Sequence, residues 1–246
     1  MCPYYRRRLP HWQPEGQVFF ITSRLFGSLP ASAIERLRFE RERLEKEPER
    51  KGELLRQRAL RQAKRMFGLL DEALAAEAER PEASSPQWLR DSKVAVLVRD
   101  AIHHREGNLW QVHRYVVMPN HLHLLIEPLP VENSEQTVKQ ANGNPEAGAD
   151  LKDACEAPCS SLAVIMHGLK LYTARRANRL LGRSGAFWQD ENYDHWVRDG
   201  EEYDRIVYYI DHNPVKAGLC RHPAEWPWSS AGEVGQVANL PSDPLP

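Results

Sequence analysis

The stretch that decides the fold runs from Trp110 to Glu127 and reads WQVHRYVVMPNHLHLLIE. It contains two strand-like runs separated by Pro119-Asn120, a pair of residues typical of a chain reversal. Because side chains alternate along a strand, His121 and His123 share one face, and the leucines beside them point to the other. The pattern predicts two neighbouring strands of a sheet that is covered on at least one face.

The histidine pair also suggests a metal site. Two imidazoles on one face of a strand can converge on a single divalent ion. The spacing alone is a weak signal, because chance yields roughly 0.4 such pairs in a chain with ten histidines. Two partly exposed strand histidines with no ligand explain the bare pattern equally well.

The segments before this stretch predict one strand and a set of helices. Residues 17–22 (QVFFIT) are rich in β-forming side chains and predict the first strand. Residues 33–80 carry interleaved acids and bases with apolar residues at helical spacing, which predicts a charged helical elaboration. Ser32 and Glu35 have the pattern of a capping box, and Pro48 with Gly52 is expected to split the segment into two helices.

Two further helices are predicted after the histidines. Leu162–Leu181 is a basic amphipathic segment that ends at Gly182, and a last helix is expected over Gly200–His212, stopped by Asn213-Pro214. Trp188, Tyr193 and Trp196 lie between these helices. They could stack on unpaired bases, although core packing is the expectation for at least two of them. Strands that alternate with helices indicate an α+β or α/β core.

The charge of the chain is unevenly distributed. The formal net charge is −1, which by itself argues against binding to nucleic acid. Residues 130–160, however, hold six acids and two bases, and the tail 231–246 holds two acids and no base, so that the remaining chain carries a net charge of +5. We interpret 130–160 as a flexible acidic insertion, 231–246 as a disordered tail and 1–230 as one domain.

Some classes of protein do not fit this composition. The longest apolar runs are far too short to span a bilayer, and the basic N-terminus lacks the apolar core of a signal peptide. Four scattered cysteines do not make a disulfide framework. A soluble protein of a reducing compartment is therefore the expectation.

The histidine segment closely resembles the signature of single-tyrosine HUH transposases, in which a bulky hydrophobic residue, here Leu122, separates two histidines. Several other segments resemble the branch called REP-associated tyrosine transposases, bacterial enzymes that act on repetitive extragenic palindromes. These segments are RRLPHW at 7–12, FWQ at 187–189, Tyr209-Ile210, NPVKAGL at 213–219 and WPWSS at 226–230. The resemblance implies a ferredoxin-like α+β fold, with an antiparallel sheet that carries the histidines and with helices packed on it.

The resemblance also implies a set of catalytic residues. Tyr209 matches the nucleophile that attacks a DNA phosphodiester and becomes linked to the 5′ phosphate; Tyr208 is the competing candidate, although it points about 100° away on a helix. The phenolate of tyrosine lies about 4 kcal/mol uphill at pH 7, so the chemistry needs assistance. His121 and His123 would hold a divalent ion, Mg²⁺ or Mn²⁺. Asn213 matches a residue that completes the metal site, or it is a helix C-cap ahead of Pro214.

The expected activity is that of a metal-dependent single-strand DNA endonuclease and strand transferase. Its expected partners are single-stranded hairpins of repetitive extragenic palindromes, bound by a monomer or a homodimer in a bacterial cytoplasm, near the nucleoid. The basic residues predicted to bind DNA are Arg6, Arg7, Arg8, Lys170, Arg175, Arg176 and Arg179. Two alternatives are a DNA-hairpin-binding protein that does not cleave and a metal-dependent phosphodiesterase in which water attacks.

Overall fold

The computed structural model describes residues 4–6, 10–12, 16–48, 52–80, 85–129 and 161–233. A four-stranded antiparallel sheet forms its centre, in the order β4-β5-β3-β6. Its strands are β3 (Phe19–Arg24), β4 (Trp110–Val117), β5 (His121–Pro128) and β6 (Tyr193–Trp196). A separate two-stranded ribbon pairs β1 (Tyr4–Arg6) with β2 (Pro10–Trp12).

Five α-helices accompany the sheet in the described part of the chain. They are α1 (Ala31–Glu45), α2 (Leu55–Glu79), α3 (Ser92–His103), α4 (Ser161–Leu180) and α5 (Gly200–Lys216). Helices lie between the first and second strands of the central sheet and between its third and fourth strands. With the strand order second-third-first-fourth, this is the ferredoxin-like topology. The predicted α+β, ferredoxin-like fold is confirmed.

The two faces of the sheet carry two separate apolar clusters. On one face, Leu122, Leu124 and Ile126 of β5 pack beneath residues of α3 and α4. On the opposite face, Leu125 of β5 belongs to a second cluster with Ile210 of α5. The period-two alternation of β5 thus places Leu122 and Leu124 in one core, and His121, His123 and Leu125 on the face beneath α5.

The start of α1 differs from the prediction. Pro30, in an extended conformation, is the N-cap residue, and no side chain caps the helix. Because α1 begins at Ala31, Ser32 lies inside the first turn, where its hydroxyl is not in the N-cap position. The expected capping box is therefore wrong. The break between α1 and α2 contains Gly52 with φ of +77°, a conformation that favours glycine.

The end of the last helix also differs from the prediction. The Asn213-Pro214 pair was expected to stop the helix, but α5 continues to Lys216 with Pro214 inside it. Proline removes one backbone donor, at a cost of about 3 kcal/mol in a helix interior. Pro214 and Ile210 are both buried, and this packing offsets the lost hydrogen bond. Asn213 consequently lies on the face of a continuing helix and does not act as its C-cap.

Two predicted segments lie wholly or partly outside the described residues. The acidic insertion 130–160 lies outside the described residues, as do residues 234–246. Residues 231–233, the first of the predicted tail, form a helical turn, and Glu233 accepts a hydrogen bond from the Tyr115 hydroxyl. The predicted tail therefore begins with packed residues. None of the described helices is long and apolar enough to cross a membrane.

Candidate metal and nucleophile site

Both predicted histidines are fully buried on the α5 side of β5, each with 0% of its surface exposed. Their Nε2 atoms lie 3.1 Å apart, so the two rings converge as the sequence pattern predicts. The Nδ1 atom of His123 is hydrogen-bonded to the hydroxyl of Thr22 on β3 at 2.8 Å. The interpretation as two partly exposed strand histidines does not hold.

Asn120 orients the first histidine. Its amide nitrogen donates to the carbonyl of Leu74 on α2 at 2.9 Å, and its Oδ1 lies 2.6 Å from His121 Nδ1. Because a carboxamide oxygen only accepts, His121 must carry its proton on Nδ1. Burial, followed by the charge of His123, lowers the pKa of His121 well below its usual range. A neutral His121 thus presents a free electron pair on Nε2, the form that a metal ion binds.

Tyr209 reaches this cluster from α5. Its hydroxyl lies 3.2 Å from His123 Nε2 and donates a hydrogen bond to the carboxylate of Asp71. Burial, reinforced by the Asp71 carboxylate, raises the pKa of Tyr209 far above its usual range. Tyr208 lies outside the cluster, because its side chain is 64% exposed and stacks on His212. Of the two tyrosines, only Tyr209 approaches the histidines.

Asp71 is a site residue that the sequence analysis missed. It lies on α2, within the charged elaboration, and is buried beneath the tyrosine helix. Its Oδ2 accepts from the Lys216 ammonium at 3.1 Å, and its Oδ1 is 3.7 Å from His123 Nε2. Burial alone would raise the pKa of Asp71, but His123 and the Tyr209 hydroxyl lower it below its usual range.

A sequence signal for Asp71 did exist. It falls on the apolar stripe of α2, four residues after Phe67 and three before Leu74. A lone acid on an otherwise apolar helix face is expensive to bury without a partner. Such a residue is a site candidate even when the rest of the helix is highly charged.

Asn213 completes the cluster from α5, one turn after Tyr209. Its Nδ2 lies 3.3 Å from His123 Nε2. Its Oδ1 is buried, and no hydrogen-bond partner for it is found among the described residues. Since a buried polar atom without a partner is costly, this oxygen is suited to a ligand or to a cation.

The residues present fit a divalent cation. Asp71, His121 and His123 each offer a ligand atom within 4.8 Å of the others. Adjacent octahedral ligands at bond lengths near 2.1 Å stand about 3 Å apart, which suits the two facing Nε2 atoms. One carboxylate and two imidazoles form a donor set for Mn²⁺ or a similar ion. The buried, unpartnered oxygen of Asn213 is a further donor.

The residues of α4 that are predicted to bind DNA differ in their exposure and contacts. On α4, Arg175, Arg176 and Arg179 are exposed, and the guanidinium of Arg176 lies over the ring of Tyr172 at 5.1 Å. The ammonium of Lys170 instead donates to the backbone carbonyls of Gln189 and Asp190, at 2.7 and 3.0 Å. Lys170 thus supports the loop before β6.

The N-terminal arginines are described only in part. Arg6 is the last residue of β1, whereas Arg7 and Arg8 lie outside the described residues. Their predicted contact with DNA stays a prediction. The same holds for the phosphate contacts predicted for α4.

Comparison with known proteins gives two matches and one negative result. No family model matches the chain. A Haemophilus influenzae protein provisionally named a REP-associated tyrosine transposase is 25% identical over 127 residues, which are 52% of this chain and 62% of the relative. The match thus spans less than two thirds of the relative's length. A solved structure of a REP-associated tyrosine transposase bound to a REP hairpin aligns with a TM-score of 0.46 at 16% identity, covering 98% of this chain and 90% of that chain.

The sequence relative carries the family name that the motifs of this chain predict. The structure brings residues of three separate elements, Asp71 of α2, His121 and His123 of β5, and Tyr209 of α5, into one cluster. By sequence, the chain is similar to REP-associated tyrosine transposases.

Proposed function

We propose that this chain is a single-strand DNA endonuclease and strand transferase that acts on palindromic hairpins through a 5′-phosphotyrosine intermediate. The observation that carries the proposal is the position of the Tyr209 hydroxyl, 3.2 Å from His123 Nε2 in a cluster suited to a divalent ion. A hydroxyl nucleophile next to a metal-binding histidine pair is the arrangement that phosphodiester transfer needs.

His121 and His123 would hold the ion, with Asp71 or Asn213 as the third protein ligand. Mg²⁺ or Mn²⁺ would polarise the scissile phosphate and neutralise the charge that develops on its oxygens. Neighbouring residues keep the two imidazoles in a state suited to metal binding. Burial keeps His121 neutral, and Asn120 and Thr22 orient the two rings from behind.

Tyr209 attacks the phosphorus atom, and its proton passes to the carboxylate of Asp71, which already accepts the hydrogen bond from that hydroxyl. The bond from phosphorus to the 3′ oxygen breaks, and this oxygen leaves as a 3′ hydroxyl after taking a proton from solvent. The 5′ phosphate stays on Tyr209. In the second step a 3′ hydroxyl attacks the phosphotyrosine and loses its proton to solvent. The bond from phosphorus to the tyrosine oxygen breaks, the proton held by Asp71 returns to that oxygen, and the strands are joined.

The exposed arginines of α4 are proposed to bind phosphates of the single strand. Arg175 and Arg179 are one helical turn apart and reach solvent, with no acid between them. A single strand is the expected substrate because an unpaired backbone can bend into a buried site. The relative's name and the hairpin in the aligned structure support a palindromic target for this chain.

We also propose a domain organisation and an assembly state for the chain. Residues 1–230 act as one domain, with 130–160 as an insertion and 231–246 as its tail. The protein works as a monomer or a homodimer in the bacterial cytoplasm. Analytical ultracentrifugation with and without a bound hairpin decides the oligomeric state.

The proposal is tested by trapping the covalent intermediate. The protein is incubated with Mn²⁺ and a labelled pool of single-stranded hairpins whose flanks are randomised, and adducts that survive denaturant are isolated and sequenced. We expect an adduct that is lost with Tyr209→Phe and with chelator, and that persists with Tyr208→Phe. Cleavage without an adduct would identify water as the nucleophile. Binding without cleavage under Mg²⁺ and Mn²⁺ would identify a hairpin-binding protein instead.

A further inference from the structure

An open cleft lies beside Tyr209, between α2, β6 and the first half of α5. Its volume is about 190 Å³, and the ring of Tyr209 forms part of its wall. The cleft is separate from the buried histidine pair, although both adjoin the same tyrosine. Whatever occupies this space lies next to the proposed nucleophile.

Aromatic rings form one side of this cleft. Phe67 of α2 and Tyr193 of β6 stack on each other, with ring centroids 4.3 Å apart and an angle of 25° between their planes. Phe20 meets Phe67 edge-on at 5.4 Å. Phe67 and Tyr193 both stay partly exposed, whereas Trp188 and Trp196 pack against the larger core. Among Trp188, Tyr193 and Trp196, Tyr193 is the residue that lines this cleft.

Cations stand at the rim of the cleft. Lys64 is 49% exposed while its ammonium contacts Glu202 at 2.9 Å, and Arg205 is 62% exposed beside Glu201. Glu202 is itself buried in the wall and holds Lys64 in place. The cleft therefore combines an aromatic interior with two cations at its rim, each of which also contacts a glutamate. A flat aromatic group attached to a phosphate matches both features.

We infer that this cleft binds one unpaired nucleobase of the DNA strand, the base adjoining the phosphate that Tyr209 attacks. The inference rests on the proposed function and extends it from the reacting phosphate to a neighbouring nucleotide. The base lies against the Phe67–Tyr193 side, and Lys64 and Arg205 face the backbone phosphates beside it. Binding of this base holds the scissile phosphate in register with the Tyr209 hydroxyl.

The test compares intact and abasic DNA. Once the cut site is sequenced from the covalent adducts, an abasic nucleotide replaces each of the two bases that flank it in turn. We expect one of these replacements to slow adduct formation by about tenfold, the size of one base–aromatic stacking contact. The variant Ile206→Trp fills the cleft, and it should react slowly with intact DNA and show no further loss with the abasic strand. Asp204→Trp places the same side chain on an exposed position of α5 and should behave like the wild type.

A second measurement does not depend on the stability of Ile206→Trp. The Tyr209→Phe protein, which binds without cutting, is titrated with strands that carry 2-aminopurine at either flanking position. Quenching at the position that the abasic test identifies supports the inference, and loss of that quenching with Lys64→Ala supports the rim contact. Adduct formation that is equally fast with every abasic strand overturns this inference and leaves the proposed function intact. A complete absence of adduct overturns both.

Discussion

The hydroxyl of Tyr209 donates a hydrogen bond to the carboxylate of Asp71, a residue 138 positions earlier in the chain. The same carboxylate accepts from the ammonium of Lys216, which lies on the same helix as the tyrosine. The contact joins the charged helical elaboration to the proposed nucleophile. This segment is therefore part of the site, and its residues are open to direct test.

Replacing Asp71 with asparagine should slow the formation of the tyrosine adduct by about 10²- to 10⁴-fold, because an amide cannot take the proton from the hydroxyl. Single-turnover adduct formation with a labelled hairpin measures the effect. Glu72→Gln, at the exposed neighbouring position, is the matched control and should react at the wild-type rate. A faster reaction with Asp71→Asn would show that the carboxylate restrains the tyrosine and does not assist it.

Replacing Asn120 with alanine should weaken Mn²⁺ binding about 10- to 100-fold, measured by isothermal titration calorimetry. Without the amide oxygen, the Nδ1 proton of His121 loses the partner that orients its ring. His104→Ala removes an exposed imidazole outside the cluster and should leave the affinity unchanged. Equal affinities for the wild type and Asn120→Ala would contradict the positioning role of Asn120.

The double variant Arg175→Ala/Arg179→Ala should bind single-stranded hairpins less tightly and with a weaker dependence on salt. Each phosphate contact on a single strand contributes a slope of about 0.7, so two lost contacts should reduce the slope by about 1.4. Fluorescence anisotropy across a salt series measures it. The pair Arg38→Ala/Arg41→Ala on α1, where acids are interleaved, is the control. An unchanged slope for the α4 variant would remove α4 from the binding surface.

Glu202→Gln should destabilise the fold at neutral pH and have little effect in acid. Burial alone would raise the pKa of Glu202, but Lys64 and His195 lower it to about 2, from 4.5. A carboxyl with a depressed folded-state pKa adds stability that is complete above pH 4.5 and is lost as the pH falls toward 2.

The expected loss at pH 7 is about 2 kcal/mol, allowing for solvent around the half-exposed Lys64. Urea denaturation followed by tryptophan fluorescence should show the stabilities of the wild type and Glu202→Gln converging as the pH falls from 4.5 toward 2. The neighbouring Glu201→Gln, which is highly exposed, should show no such difference. A difference in the free energy of unfolding that stays constant with pH would contradict the lowered pKa of Glu202.

Much of the site is readable from local sequence because it depends on the period of one strand. The alternation in HLHLLIE places both histidines on one face of β5 and Leu122 and Leu124 on the other, and the structure agrees. The position of Tyr209, seven residues before Lys216 and four before Asn213, likewise puts all three on one side of a helix. These relationships follow from backbone geometry within a single element.

The remaining features of the site are contacts between different elements, and the sequence pattern within one element does not predict them. Asp71 looks like one more acid in a highly charged helix until α2 packs against α5, which buries its carboxylate against the Tyr209 hydroxyl. The sequence pattern of α4 likewise does not show that the ammonium of Lys170 donates to two backbone carbonyls of the loop before β6. Pro214 looks like a helix stop until burial of its ring compensates for the missing hydrogen bond.

The sequence pattern by itself therefore determined the histidine pair and its strand, and the resemblance to a known family implied the α+β fold and favoured Tyr209 over Tyr208. Only the tertiary structure decided which carboxylate meets that tyrosine, which asparagine orients His121, and which tyrosine of the adjacent pair is buried. The physical reason is that periodicity orients side chains relative to their own backbone. Desolvation and hydrogen bonding between distant segments depend on how those backbones pack.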